Sequence, residues 1–86
     1  MFYVYILESL VNGSFYVGET KNLEDRLKRH NEGRSRFTSS KVPWKLVYFE
    51  EYKTRSEAMK REREIKNKKS RRFIEDLFKR KYHTGP

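Results

Sequence analysis

The stretch Phe2-Tyr3-Val4-Tyr5-Ile6-Leu7-Glu8, followed by Asn12-Gly13 and then Ser14-Phe15-Tyr16-Val17-Gly18, decides the fold of this chain. The first run is β-branched and aromatic almost throughout, the composition of a strand. Asn-Gly is the strongest short hairpin signal, so Ser14 to Gly18 is expected to return as the partner strand. With Asn12 and Gly13 as the two central turn residues, Leu10 would face Phe15 and Tyr5 would face Thr20. Side chains alternate along a strand. Tyr3, Tyr5, Tyr16, Gly18 and Thr20 then share one face, and Phe2, Val4, Ile6, Phe15 and Val17 share the other. The second set reads as core. The first reads as a partly wet surface that something approaches closely at the glycine. This register predicts a shared face for Tyr5 and Tyr16 without direct contact between them. The blander reading, that tyrosines simply make good strands, stands beside it.

Working outward, Asn22 suits a helix N-cap, with Glu24 and Asp25 in the positive first turn. That helix should run to about Asn31 and stop near Gly33. Residues 33–43 form a basic loop carrying Arg34, Arg36 and Lys41. Trp44 to Tyr52 reads as a third strand. Thr54 and Glu57 fit a capping box opening a second helix to about Asn67. Ser70 can cap a third, ending near Arg80, with residues 81–86 a flexible tail. The order β-β-α-β-α-α describes an α+β fold: one domain over residues 1–86, with a small three-stranded antiparallel sheet flanked by three helices.

Composition narrows the function. A chain of 86 residues has little core to spare, and six Phe, six Tyr and one Trp supply area that it otherwise lacks. There is no cysteine, which excludes disulfides, thiolate metal sites and cysteine nucleophiles. No run approaches the roughly 20 apolar residues of a membrane span, and the apolar start lacks the basic lead of a signal peptide. A cytoplasmic protein is expected. The formal charge of +9, from 21 Lys and Arg against 12 Asp and Glu, points to a polyanion as partner, nucleic acid before others. A merely basic, soluble surface is the alternative.

Three polar residues fall where the pattern wants apolar ones. On the first helix, Leu23 and Leu27 set the inward stripe; His30 falls on it and Arg26 on its flank, while Lys28 and Arg29 point elsewhere. Arg26 and His30 are four apart and lie one above the other. A structural role would suit either: His30 as a satisfied helix-end histidine, Arg26 paired with Asp25 or Glu50. On the second helix, Ala58, Met59 and Ile65 set the inward stripe, and Glu62 lies about 40° from Ala58. A carboxylate facing inward needs a cation, a metal or several donors. Lys66, one turn on, could be that cation. Alternatively Glu62 holds Mg²⁺ or Mn²⁺, which often use one or two carboxylates and keep several waters.

These residues together resemble the GIY-YIG nuclease superfamily. Tyr3-Val4-Tyr5 and, about ten residues later, Tyr16-Val17-Gly18 are similar to its paired signature. Gly18-Glu19-Thr20-Lys21-Asn22-Leu23 with Arg26 and His30 look like its turn into the first helix, and Ala58 with Glu62 like the helix that bears its metal-binding glutamate. The match spans approximately residues 2 to 75 and is most similar to small stand-alone bacterial members related to the N-terminal nuclease domain of the DNA-repair excinuclease. The signature departs at Tyr3, where the family has glycine, and Asn67 is too early for an asparagine that many members carry after the glutamate.

The resemblance implies metal-dependent endonucleolytic hydrolysis of phosphodiester bonds, selective for structure rather than sequence, leaving a 5′ phosphate and a 3′ hydroxyl. It assigns Glu62 to one Mg²⁺ or Mn²⁺, Arg26 to the attacked phosphate, Tyr16 to the base for the attacking water, Tyr5 to positioning, and His30 to assistance. A free tyrosine ionises near pH ~10, so a phenol used as a base needs a metal or cations beside it. Lys21, Arg34, Arg36, Lys41 and Lys66 are the expected nucleic-acid contacts, with DNA favoured over RNA. Family nucleases often draw specificity from an appended targeting domain, so a protein partner is a further expectation here. The competing readings are a non-catalytic nucleic-acid-binding module and a basic protein attached to RNA-rich assemblies.

Overall fold

The computed structural model describes residues 1–34 and 37–83, with the side chains of residues 80–83 outside that description. Its elements are β1 (Phe2–Ser9), β2 (Phe15–Thr20), α1 (Leu23–Asn31), a 3-10 turn (Ser39–Lys41), β3 (Trp44–Tyr52), α2 (Arg55–Lys68) and α3 (Arg71–His83). The fold is α+β with the expected order. The strands form one antiparallel sheet in the order β2-β1-β3. The local signals act as read: Asn22 Oδ1 accepts from Asp25 N at 3.0 Å, Thr54 and Glu57 form a complete capping box, and Ser70 Oγ accepts from Phe73 N at 3.1 Å. The third helix continues to His83, beyond the end expected near Arg80. Residues 84–86 of the expected tail lie outside the described residues.

The hairpin register differs from the two-residue turn by two positions. Tyr3 pairs with Thr20, Tyr5 with Gly18 and Leu7 with Tyr16. Ser9 causes the change. Its amide donates to Ser14 O at 2.8 Å, its carbonyl accepts from Gly13 N at 2.9 Å, and its buried hydroxyl accepts from Val11 N at 3.1 Å. Residues 10–13 therefore form a longer loop, with Gly13 in the left-handed region at φ 75°. A two-residue slip keeps the parity, so the two faces hold the side chains expected of them.

Both faces are covered. Val4, Ile6 and Val17 pack under Ala58 and Ile65 of α2, joined by Phe73, Ile74 and Leu77 of α3. Tyr5 and Leu7 pack on the opposite face with Trp44, Leu23 and Leu27. The tyrosine face is largely a second core: Tyr5 is 1 % exposed because α1 lies over it, while Tyr3 and Tyr16 are half-buried. A bulge in β3 supplies the rest. Ile6 pairs with Tyr48 but Leu7 pairs with Leu46, leaving Val47 as an extra residue. That insertion sends Trp44 and Leu46 to the α1 side, while Tyr48, Glu50 and Tyr52 point to the α2 side.

On the α2 side, Met59 is exposed, contrary to the inward stripe expected of it. Arg61 takes the flank nearest β3 instead, where its Nε meets Glu50 Oε1 at 2.9 Å and its Nη2 meets Oε2 at 3.1 Å. Tyr48 and Tyr52 donate to the same carboxylate. Burial alone would raise the Glu50 pKa, but the bonds from Arg61, Tyr48 and Tyr52 prevail and hold it below the usual carboxylate value. Burial and that carboxylate push both tyrosines up to about 12. The next residue, Glu62, lies about 100° further round α2.

Candidate active site

Tyr5 opposite Gly18 is the foundation of the site. A Cβ on Gly18 would stand 2.5 Å from the Tyr5 hydroxyl and 2.6 Å from its Cζ, so the ring lies directly on the glycine backbone. From there the Tyr5 hydroxyl reaches His30 Nε2 at 3.0 Å. The rings of Tyr5 and Tyr16 lie 6.2 Å apart, and those of Tyr16 and His30 4.8 Å. The two tyrosines, expected only to share a face, are neighbours, because the two-residue slip brings Tyr16 opposite Leu7.

His30 is 1 % exposed, and its other ring nitrogen, Nδ1, lies 2.8 Å from Thr38 Oγ1. Thr38 is equally buried, and its carbonyl accepts from the Trp44 indole at 3.0 Å. Asn31 joins the same region to β3 by accepting from Trp44 N and donating to Trp44 O at 2.9 Å. The histidine is therefore a satisfied buried group, as the structural alternative has it, and also part of the phenol cluster. Burial, then the charges of Arg26 and Arg29, lower its pKa. The ring is neutral at pH 7, so one nitrogen donates and the other accepts.

Burial first, then the neighbouring Tyr16 and, to a lesser degree, Glu62, raise the Tyr5 pKa well above that of a free phenol; the Arg26 guanidinium beside it opposes the rise. Tyr5 thus keeps its proton. The two phenols differ in access to water: Tyr5 is sealed in, whereas Tyr16 lines an open cleft of ≈ 210 Å³ with Arg26, Arg29, His30 and Arg34. Arg26 Nε is buried and meets no hydrogen-bond acceptor among the described residues. A guanidinium with an unmet donor in a cleft of three arginines is suited to bind an anion with several oxygens. Arg29 is a correction, since the helix pattern has it pointing elsewhere. Its spacing from Arg26, three residues along one helix, is the signal that could have found it.

Glu62 is half-buried, with its side chain 21 % exposed, and its Oε2 accepts from Lys66 Nζ at 2.7 Å. The ion pair with Lys66 is formed. The same carboxylate makes the smallest contribution to the rise in the Tyr5 pKa, and it is not among the described residues that line the Tyr16 cleft. Among the described residues no three His, Asp or Glu side chains gather into a metal cage. A single half-buried carboxylate suits an ion that keeps its waters and takes further oxygens from a substrate, which is the habit of Mg²⁺ and Mn²⁺. Glu50, the other acid weighed as a partner for Arg26, is held by Arg61 instead.

The expected nucleic-acid contacts divide. Arg34 lines the cleft. Lys21 lies by a separate recess with Tyr3 and Asn22, its Nζ 5.8 Å from the centre of the Phe2 ring. Lys41 ends the 3-10 turn, where its carbonyl accepts from Ser9 Oγ at 2.7 Å. Arg36 lies outside the described residues.

The GIY-YIG catalytic domain matches residues 1–76. A UPF0213 protein of Bacillus licheniformis is 41 % identical over 78 residues, covering 86 % of this chain and 79 % of its own length. A UPF0213 protein of Staphylococcus saprophyticus is 45 % identical over 65 residues, covering 74 % of this chain and 78 % of its own. The solution NMR structure of a UPF0213 protein from Bacillus halodurans superposes with a TM-score of 0.55 at 39 % identity, covering 90 % of this chain and 82 % of the other.

Proposed function

Because this chain belongs to the GIY-YIG catalytic domain family, whose fold is nuclease-like, we propose that it is a metal-dependent endonuclease acting on DNA. The observation that carries this reading is the convergence of Tyr16, Arg26, Arg29, His30 and Arg34 on one cleft, with Tyr5 bonded to His30 behind it. In this reading a phosphodiester enters the cleft and its oxygens satisfy the guanidinium of Arg26, with Arg29 and Arg34 on the flanking phosphates. Tyr16 is the phenol within reach of water; as the phenolate it takes a proton from the attacking water, whose oxygen bonds to phosphorus as the 3′ oxygen leaves. Tyr5 keeps its proton and, through His30, fixes the wall against which Tyr16 packs. Divalent magnesium or manganese, when held by Glu62, supplies positive charge for the leaving 3′ oxygen. Lys66 competes for that carboxylate and would turn outward to a phosphate as substrate binds.

The test is cleavage of single-stranded, duplex and branched DNA with and without Mg²⁺ or Mn²⁺, using wild type and Glu62→Ala. Cleavage is expected only with metal, and the substitution is expected to lower it by about a hundredfold or more, the scale of a lost electrostatic contribution at a reacting oxygen. Metal-dependent cutting that survives in Glu62→Ala would show the site to be misassigned.

A second reading is favoured by one distance. The 2.7 Å pair of Glu62 with Lys66 is complete without a metal. If it persists with DNA bound, the cleft is that of a nucleic-acid-binding module without hydrolysis, and wild type would bind each of these DNAs and cut none.

A further inference from the structure

Phe37 is 79 % exposed, the highest exposure of any large apolar side chain among the described residues. A solitary exposed apolar residue needs no explanation in itself. Phe37 is set apart by what holds it. The next residue, Thr38, is 1 % exposed, with its hydroxyl on His30 at 2.8 Å and its carbonyl on the Trp44 indole at 3.0 Å. The Cα of Phe37 is thus tied, one peptide of about 3.8 Å away, to a residue anchored in the wall of the candidate site. The ring makes no ring pair with any other described residue, although the aromatics of the sheet pair with one another. In a chain with so little core, leaving a phenyl in water forgoes burial that the domain could use. Nearby, Arg29 and Arg34 line the cleft from the helix and loop that lead to it.

An exposed ring next in the chain to a residue bonded to His30, which lines a cleft with three arginines, suits the way proteins hold unpaired bases: cations take the backbone and an aromatic ring stacks on a base. We propose that Phe37 is a stacking platform for an unpaired base of the DNA strand whose phosphate lies in the Arg26 cleft. The substrate would then be single-stranded or branched DNA in preference to continuous duplex, where every base is already stacked. This rests on the nucleic-acid part of the function proposed above and not on hydrolysis.

The experiment is done without metal, in EDTA, so that binding is read apart from cutting. Fluorescence anisotropy gives the affinity of wild type, Phe37→Ala, Phe37→Leu and Phe37→Trp for a labelled DNA single strand, the blunt duplex of the same sequence, and the matching RNA strand. Phe37→Ala and Phe37→Leu are expected to weaken single-strand DNA binding at least about fivefold, the lower end for one stacked base, while duplex binding changes by less than about twofold. Phe37→Trp is expected to retain or exceed wild-type affinity. Equal losses on single strand and duplex, full affinity in Phe37→Leu, no measurable binding by wild type, or a Phe37 effect confined to the RNA strand would each overturn the proposal. A wild type that binds in this pattern and never cuts would sink the endonuclease and leave the platform standing.

Discussion

The Tyr5 hydroxyl and His30 Nε2 lie 3.0 Å apart although 25 residues separate them in the chain. The contact ties the central strand to α1 inside the sheet's second core. Its existence depends on a third residue on β2: the Tyr5 ring occupies the space that any side chain at position 18 would fill. Next to this contact, Tyr16 lines an open cleft with three arginines.

Gly18→Ala tests whether that packing matters. The added methyl would collide with the Tyr5 hydroxyl and ring, which are enclosed and cannot move freely. Overpacking of this kind costs about 1–3 kcal/mol, and in a domain of this size each kcal/mol lowers Tm by about 4–8 °C. Thermal unfolding should show the loss, and the ring-current-shifted resonances of His30 should move as Tyr5 is displaced. An unchanged Tm would mean that the ring does not sit on the glycine.

Acid titration of stability separates two groups with depressed pKa values. His30 ordinarily titrates at 6.5 and is held neutral by burial, then by Arg26 and Arg29. The unfolded chain therefore binds more protons below that pH, and stability present above 6.5 is lost as pH falls. Glu50, lowered from 4.5 by the bonds that outweigh its burial, contributes stability above 4.5 that is lost as pH falls further. Tm measured against pH should fall in both windows. His30→Gln should flatten the upper window only, and Glu50→Gln the lower only. A profile that stays the same in both variants would contradict these environments.

Arg29→Ala and Arg34→Ala should each weaken DNA binding across all sequences and reduce the slope of log affinity against log salt by about 1, as each removes one phosphate contact. Lys21→Ala, whose side chain lies by a different recess, should change the slope less. Anisotropy titrations at several salt concentrations measure both quantities. A larger loss for Lys21 than for Arg29 would place the phosphate track elsewhere.

Much of this is legible in the residues. Strand composition, Asn22, the Thr54–Glu57 box and Ser70 set the element order, because each acts through its own neighbours. The faces of the hairpin are readable even with the register two residues out, since alternation depends only on parity. The half-buried setting of Glu62 is readable from its helical phase relative to Ala58 and Ile65, which define the stripe over almost two turns. On α1 the phase rests on Leu23 and Leu27 alone, which puts Arg29 on the wrong side. The bulge at Val47 leaves no local signal. It is set by how β3 pairs with β1 and by what α1 and α2 each cover, so the arrival of Trp44 and Thr38 behind His30 belongs to the tertiary structure. Ser9 likewise sets the loop length through bonds to residues beyond the Asn-Gly pair.

In the proposed mechanism the Glu62 carboxylate holds a divalent ion. Titrating Mn²⁺ at substoichiometric levels into isotope-labelled protein and following paramagnetic broadening of backbone amide signals addresses it directly. Broadening should begin at Gly18 and at residues 61–63 and vanish in Glu62→Ala. Broadening centred instead on Glu50 or Glu75, or a pattern unaltered by Glu62→Ala, would contradict it.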